Sequence, residues 1–285
     1  MTSTLVFRPL CFEEFEVLVR WAALEGWNPG KADAALFWAT DSEGFYGCFD
    51  NDTLIGGGSI VSYSGLFGFM GFFIVHPDYR AKGLGGRLWQ LRRDTLLSRL
   101  HPGAAIGMDG VVAMQPFYQQ GGFAIAFRDE RYEKTGTSYP PNPAISLITP
   151  ADYPEVFALD LACFGVAREA FMTRWMESNN ATAIKYTGPD GLQGFAVLRA
   201  CQTGYKIGPL FADNQFVAES LYEYCLNSVI GQPVYVDIPV CNEAAVALVH
   251  KYEAQYVFEC ARMYHGTPPT TAHDKIFGIT TFELG

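Results

Sequence analysis

The sequence is short of the features that would send it to a membrane, a metal or a nucleic acid. No uninterrupted apolar stretch in its 285 residues approaches the length of a membrane span. Met1 to Leu10 has neither the basic segment nor the apolar core and small-residue cleavage site of a secretory leader. The expectation is a soluble, cytoplasmic protein with no membrane partner. Cysteine is sparse and scattered: the seven, Cys11, Cys48, Cys163, Cys201, Cys225, Cys241 and Cys260, never form a C-x-x-C pair and read as reduced thiols. The five histidines provide no H-E-x-x-H, so no metal is expected. Basic residues are outnumbered, 20 Lys and Arg against 30 Asp and Glu, and a net charge of -10 repels a phosphate backbone. Nucleic acid is therefore excluded as a partner. Neither G-x-x-x-x-G-K-[ST] nor the dinucleotide glycine spacing occurs, which removes the common nucleotide folds.

What is present is ordinary globular material, 49% hydrophobic and 18% charged, with 15% aromatic residues, at a length above the usual single domain. The sharpest break is TGTSYPPNP from Thr135 to Pro143, whose three prolines exclude helix and central strand. A linker at 135–144 divides the chain into 1–134 and 145–285. The two sides repeat one order. Each opens with a short strand ending at a proline and an amphipathic helix (from Leu5 and from Ser146), with Asp152 placed to cap the second helix. Each continues through a hairpin turning at Asp50 to Asp52 or at Pro189 to Gly191. A strand and helix follow, Gly68 to Val75 then Leu84 to Leu100, and Tyr205 to Phe211 then Val217 to Ile230. The next strand carries or abuts an aspartate, Asp109 or Asp237, and a last apolar run, Phe123 to Phe127 or Tyr256 to Cys260, closes each copy. This order predicts a tandem α/β (α+β) repeat, each unit a mixed sheet flanked by helices.

One stretch carries chemistry. From Phe73, Ile74 and Val75 the chain passes Pro77 into Arg80, Ala81, Lys82, Gly83, Leu84, Gly85, Gly86 and Arg87: a strand, a proline turn, a glycine-rich bend and a helix start. Such a bend leaves backbone N–H groups unpaired at a helix N-terminus, where the dipole favours an anion. Leu84, Leu88, Leu91 and Thr95 fall on one face of that helix and are expected to pack it on the sheet. The alternative is a loop with a solvated basic face.

Val75-x-Pro77-x-x-Arg80-x-x-Gly83-x-Gly85-Gly86 resembles the [QR]-x-x-G-x-[GA] motif of the GCN5-related N-acetyltransferases (GNAT superfamily). Phe117-Tyr118-Gln119-Gln120-Gly121-Gly122-Phe123 resembles their Y-x-x-x-G-F segment, although Val111 stands where the family commonly has asparagine. Glu25-Gly-Trp27-Asn28-Pro29-Gly30 and the ending RMYHG from Arg262 resemble a two-domain, YitH-like subgroup. The resemblance implies a mostly antiparallel sheet in each domain and acetyl-CoA as cosubstrate, its pyrophosphate held by the bend and its pantetheine arm admitted where the preceding strand splays from its neighbour. It also implies acetyl transfer to a primary amine by direct attack, with Tyr118 as general acid and Trp27 and Asn28 in the loop over the acceptor. The acceptor is a small-molecule amine or a protein amine.

Attack by an amine of reference pKa ~10.4 requires removal of a proton, so a carboxylate is needed. Asp109 and Glu25 are the first-half candidates, and Asp237 joins them if the halves share a cleft. The competing readings are a turn residue for Asp109, a surface charge for Glu25, a half-buried packing aromatic for Tyr118 and a structural turn for Trp27 and Asn28. The second half has no arginine or glycine pair after Ile207 to Asp213, so it is expected to serve in support or acceptor recognition, leaving one coenzyme site per chain. A regulatory acyl-CoA-binding protein without transfer is the rival reading.

Overall fold

The computed structural model describes residues 5–285; Met1 to Thr4, the start of the stretch read for a leader, lie outside the described residues. The first half runs β1 (Leu5–Pro9), α1 (Phe12–Leu24), α2 (Asp33–Thr40), β2 (Phe45–Asp50), β3 (Thr53–Tyr63), β4 (Phe67–Val75), α3 (Leu84–Arg99), β5 (Ala105–Val111), α4 (Gln115–Gln120) and β6 (Ala124–Thr135). The second repeats that order with β7 (Ile145–Leu147), α5 (Tyr153–Phe164), α6 (Glu169–Glu177), β8 (Ala181–Gly188), β9 (Gly191–Ala200), β10 (Tyr205–Ala212), α7 (Gln215–Ser228), β11 (Pro233–Pro239), α8 (Glu243–Lys251) and β12 (Gln255–His265), and adds β13 (Ile276–Gly278). The connection from β6 to β7 contains the three prolines and is irregular. Among the described residues no helix is long and apolar enough to cross a membrane.

Local chemistry explains the elements. α1 starts where the Glu14 carboxylate accepts the Cys11 N–H at 2.9 Å, and it buries Phe15, Leu18, Val19 and Ala22 at helical spacing. Asp152 does not cap α5 with its side chain. Its carboxylate instead accepts the Thr149 N–H at 2.8 Å and pairs with Lys185. In α3 the buried face is Leu84, Leu88, Trp89, Arg92 and Leu96. The face is thus rotated from the predicted one, because Gly58 leaves room beneath the helix into which Arg92 extends.

Thirteen strands among the described residues form one sheet in the order β1-β2-β3-β4-β5-β12-β6-β11-β10-β9-β8-β7, with β13 alongside β10. Only β4–β5 and β10–β11 run parallel. The last runs do not close their own copies. β12 lies against β5 of the first half, β6 lies against β11 of the second, and β6 and β12 pair with each other in the middle. Each exchanged strand brings an arginine directly opposite an aspartate: Arg262 faces Asp109, and Arg131 faces Asp237. α1, α2, α5 and α6 share a single core on one face, where Phe37 stacks on Trp175 at 5.9 Å. α3 and α4 cover the other face of the first half, and α7 and α8 that of the second.

Asp129, on β6 in the seam, is fully buried and neither carboxylate oxygen has a hydrogen-bond partner among the described residues. Burial, with Asp109 nearby, pushes its carboxyl well above the usual carboxylate range. A carboxyl with a raised folded pKa contributes stability that is complete below the unfolded value of ~3.9 and is lost as pH climbs toward the folded one. Asp129→Asn should therefore gain on wild type as pH rises from 4 to 8, reaching about 1–3 kcal/mol. Urea unfolding at several pH values checks this; parallel curves for the two proteins would refute it.

Candidate active site

β4 and β5 pair only from Phe67 to Phe69 against Ala105 to Gly107, and beyond that point they separate. The pairing of β3 with β4 shifts register between Gly57 and Ser59, and Phe72 takes a φ of 50°. A bulge here turns β4 away from β5 and opens a fork. The fork holds a cleft of about 710 Å³ including its open mouth. Met70, Trp89, Arg92, Met108, Met114 and Tyr118 line it on the α3/α4 face; Trp27, Phe72, Phe258, Cys260, Phe282 and Glu283 line it on the other.

Phe73 also lines the cleft, while Ile74 is buried and Val75 half-buried as β4 runs out toward the bend. Ala81 (φ 59°) and Gly83 (φ 75°) are left-handed, and Gly83 caps α3. The helix ladder begins with Arg87 N–H to the Gly83 carbonyl at 3.4 Å, so the amides of Leu84, Gly85 and Gly86 precede the first i−4 acceptor. A Cβ on Gly86 would meet nothing within 4 Å, and one on Gly85 would be in ordinary contact with Phe73 and Val75. Packing does not require glycine at either position. The bare space over the helix start suits the close approach of an anion. Arg80 Nε donates to the Val75 carbonyl at 2.8 Å, and Lys82 Nζ to that of Asp78 at 2.7 Å. Arg87 lies over Phe7, 5.2 Å from its centroid. The residues of the bend fit a pyrophosphate.

Tyr118 is buried in the cleft wall, and burial pushes its phenol up to about 12 against the opposing charge of Arg92. It is a proton donor throughout the neutral range. Arg92 donates Nη2 to the carbonyls of Ser59 (2.5 Å) and Gly71 (2.7 Å), while Nε and Nη1 have no hydrogen-bond partner among the described residues. Burial lowers this guanidinium to about 10, which keeps it charged at pH 7.

The other predicted residues are distributed unevenly. Asp109 lines the cleft, yet both its oxygens are taken by Arg262, at 2.7 and 2.9 Å; burial raises it to about 6 while Arg262 opposes the shift. It is a buried strand residue, not a turn. Asp237 is likewise held by Arg131 at 2.6 and 2.7 Å and does not line the cleft. Glu25 is outside the lining too, in an ion pair with Arg80 at 2.5 Å that ties the loop after α1 to the bend. Trp27 faces the cleft, and its carbonyl accepts from Arg131 (3.0 Å) and Lys206 (3.1 Å). Asn28 faces elsewhere: its side chain forms two hydrogen bonds with the backbone of Thr203, 2.8 and 2.9 Å. Sequence reasoning missed Arg92, Phe258, Cys260, Phe282 and Glu283. Only Arg92 left a local trace, as a charge at helical spacing from Leu84 and Leu88.

The second half has the same fork without the site. β10 and β11 pair from Tyr205 to Ile207 against Val234 to Val236 and then separate, but β13 lies in the gap, pairing with β10 at Leu210 and Phe211. Ile279 N–H donates to the Asp237 carbonyl at 2.8 Å, and the Asn242 side chain, which caps α8, donates to the Ile276 carbonyl at 2.9 Å. α7 starts at Asn214, whose own side chain accepts the Val217 N–H at 3.1 Å, so no glycine bend precedes it.

Residues 12–123 match the family model described as Acetyltransferase (GNAT) family, and residues 156–278 match one described as Acetyltransferase (GNAT) domain. The chain is similar to the holothin acyltransferase of Pseudoalteromonas sp. (strain SANK 73390), 29% identical over 285 residues that cover 99% of this chain and 95% of that one. It is 24% identical over 237 residues to the uncharacterised N-acetyltransferase YitH of Bacillus subtilis (strain 168), covering 80% and 79%. Among solved structures, a protein from Pyrococcus horikoshii assigned as an acetyltransferase superposes with a TM-score of 0.85 at 20% identity, covering 99% and 96%. A tandem GNAT protein from the clavulanic acid biosynthesis pathway superposes at 0.65 with 11% identity, covering 92% and 98%.

Proposed function

This chain belongs to the GNAT superfamily as a tandem pair of its domains and is an acyltransferase, and from that premise we propose that it moves an acetyl group from acetyl-CoA to a primary amine by direct attack. The observation that carries this reading is the fork: one cleft crosses the sheet with a protonated Tyr118 on one face and a carboxylate-bearing, aromatic wall on the other. Residues of the bend, Arg80 to Arg87, hold the pyrophosphate, with Gly83, Gly85 and Gly86 leaving the amides bare. The thioester lies in the fork beside Phe73 to Val75, where backbone donors near the bulge polarise its carbonyl. An amine, small-molecule or protein-borne, enters against Trp27, Phe258 and Phe282. Its nitrogen forms the new C–N bond, the C–S bond breaks, and Tyr118 protonates the departing thiolate. We place the coenzyme in the 1–134 half, with 145–285 supplying much of the acceptor wall, in keeping with a relative named as an acyltransferase along nearly its whole length.

Calorimetry with acetyl-CoA on wild type and Gly86→Val tests the site. Since a Cβ at Gly86 meets no protein atom within 4 Å, the variant should unfold no earlier than wild type while its acetyl-CoA affinity falls about tenfold or more. Thiol release across phenethylamine, butylamine and ethanolamine then tests transfer. No binding to wild type at millimolar acetyl-CoA would end the reading.

A further inference from the structure

The carboxylates that the sequence brings forward are committed elsewhere: Asp109 and Asp237 each have both oxygens on an arginine, and Glu25 is tied to Arg80 outside the cleft lining. One carboxylate in the cleft wall is not. After β13 the chain leaves the second fork and crosses to the first, where the Glu283 backbone lies so close to Gly71 that a Cβ there would collide with it. The Tyr63 hydroxyl on β3 donates to the Leu284 carbonyl at 2.9 Å, and Arg168 at the start of α6 to that of Gly285 at 2.8 Å, which fix the path. Glu283 lines the cleft opposite Tyr118. Its Oε2 accepts the Thr281 hydroxyl, and its Oε1 has no hydrogen-bond partner among the described residues. Unlike the two sealed oxygens of Asp129, Oε1 is not among the orphaned atoms closed off from solvent.

We propose that Glu283 is the general base, a role that rests on the acyl-transfer reading above. An alkylammonium entering past Trp27 and Phe258 gives one proton to Glu283. The neutral nitrogen lone pair then forms the C–N bond as the carbonyl π pair moves to oxygen. Collapse breaks the C–S bond, the thiolate takes the Tyr118 proton, and the second proton on nitrogen restores the phenol. Glu283 returns its proton to water, so the sum is ammonium plus thioester giving amide, thiol and one proton. Arg131 and Lys206 face this carboxylate with positive charge and Asp109 with negative, while the Cys260 thiol beside it is held neutral by burial. The Thr281 hydroxyl donates to this carboxylate.

The test is the pH dependence of kcat/KM for wild type, Glu283→Gln and Thr281→Val, using whichever of phenethylamine, butylamine and ethanolamine releases thiol fastest, with acetyl-CoA calorimetry beside it. Glu283→Gln should lose about a hundredfold at pH 7 and lose the acid limb of the profile, its rate following only the amine's own deprotonation, with acetyl-CoA affinity unchanged. Thr281→Val, which keeps the carboxylate and removes its donor, should move the limb to higher pH. An acid limb retained in Glu283→Gln, or unmoved in Thr281→Val, overturns the assignment; should the glutamine variant fail to bind acetyl-CoA, the valine profile alone decides. Wild type that binds acetyl-CoA yet releases no thiol with any of the three amines instead fails the acyl-transfer reading, and Glu283 falls with it.

Discussion

Tyr118→Phe is expected to lower kcat about 10²–10³-fold while leaving acetyl-CoA affinity within twofold of wild type. The hydroxyl lies in a cleft wall where burial holds the phenol near 12, it has no hydrogen-bond partner among the described residues, and its ring packs within a cluster that phenylalanine preserves. Removing one oxygen therefore takes away a proton and little else. Arg92 is the counterpart that matters to this chemistry. Its charge is balanced by no carboxylate among the described residues, and in the proposed mechanism it would lower the cost of negative charge as the thiolate forms beside Tyr118. Steady-state thiol release and calorimetry on the same preparations check the expectation. A loss below threefold in kcat would remove Tyr118 from the mechanism and leave it as packing.

The second large effect is on stability. Arg262→Leu should cost about 3–5 kcal/mol, because it strips Asp109 of both its hydrogen bonds in a site that is fully buried, where the carboxyl must take up a proton or remain an uncompensated charge. Adding Asp109→Asn to it should recover much of the loss, and a double-mutant cycle by urea denaturation measures the coupling. The pair sits at the point where β12 joins the other half's sheet, so the damage should spread through a single unfolding transition rather than melt one half alone. Arg131 and Asp237 hold the matching position on the other exchanged strand. A coupling below 0.5 kcal/mol for Arg262 and Asp109, on the scale of an exposed pair, would show that the seam is held by other contacts.

These two aspartates show where sequence reading reaches and where it stops. Asp109 and Asp237 stand out in the sequence because they recur at matching places in a repeat, and a carboxylate at a strand end is a fair candidate base. Their arginine partners lie on strands from the opposite half, over a hundred positions along the chain. No local pattern reveals that distance. Tyr118 and the bend from Val75 to Arg87 were legible because glycine, proline and helix-start chemistry act within a few residues. Arg92 was half legible: its spacing puts it on the buried face, but a charged residue there is read as exposed until Gly58 is seen beneath it.

By itself the sequence determined the order of elements, the tandem repeat and the glycine-rich bend at the start of α3, since side-chain periodicity, turn residues and helix caps are short-range properties of the chain. Only the tertiary structure decided which strand pairs with which, that the last strands of the two halves change places, and that the final segment plugs one fork with β13 and brings Glu283 to the other. The physical reason is that β6 and β12 each carry a buried arginine whose aspartate lies on a strand of the other half, and nothing local to either strand selects that neighbour. The choice between neighbours belongs to packing and buried charge pairing across the whole sheet.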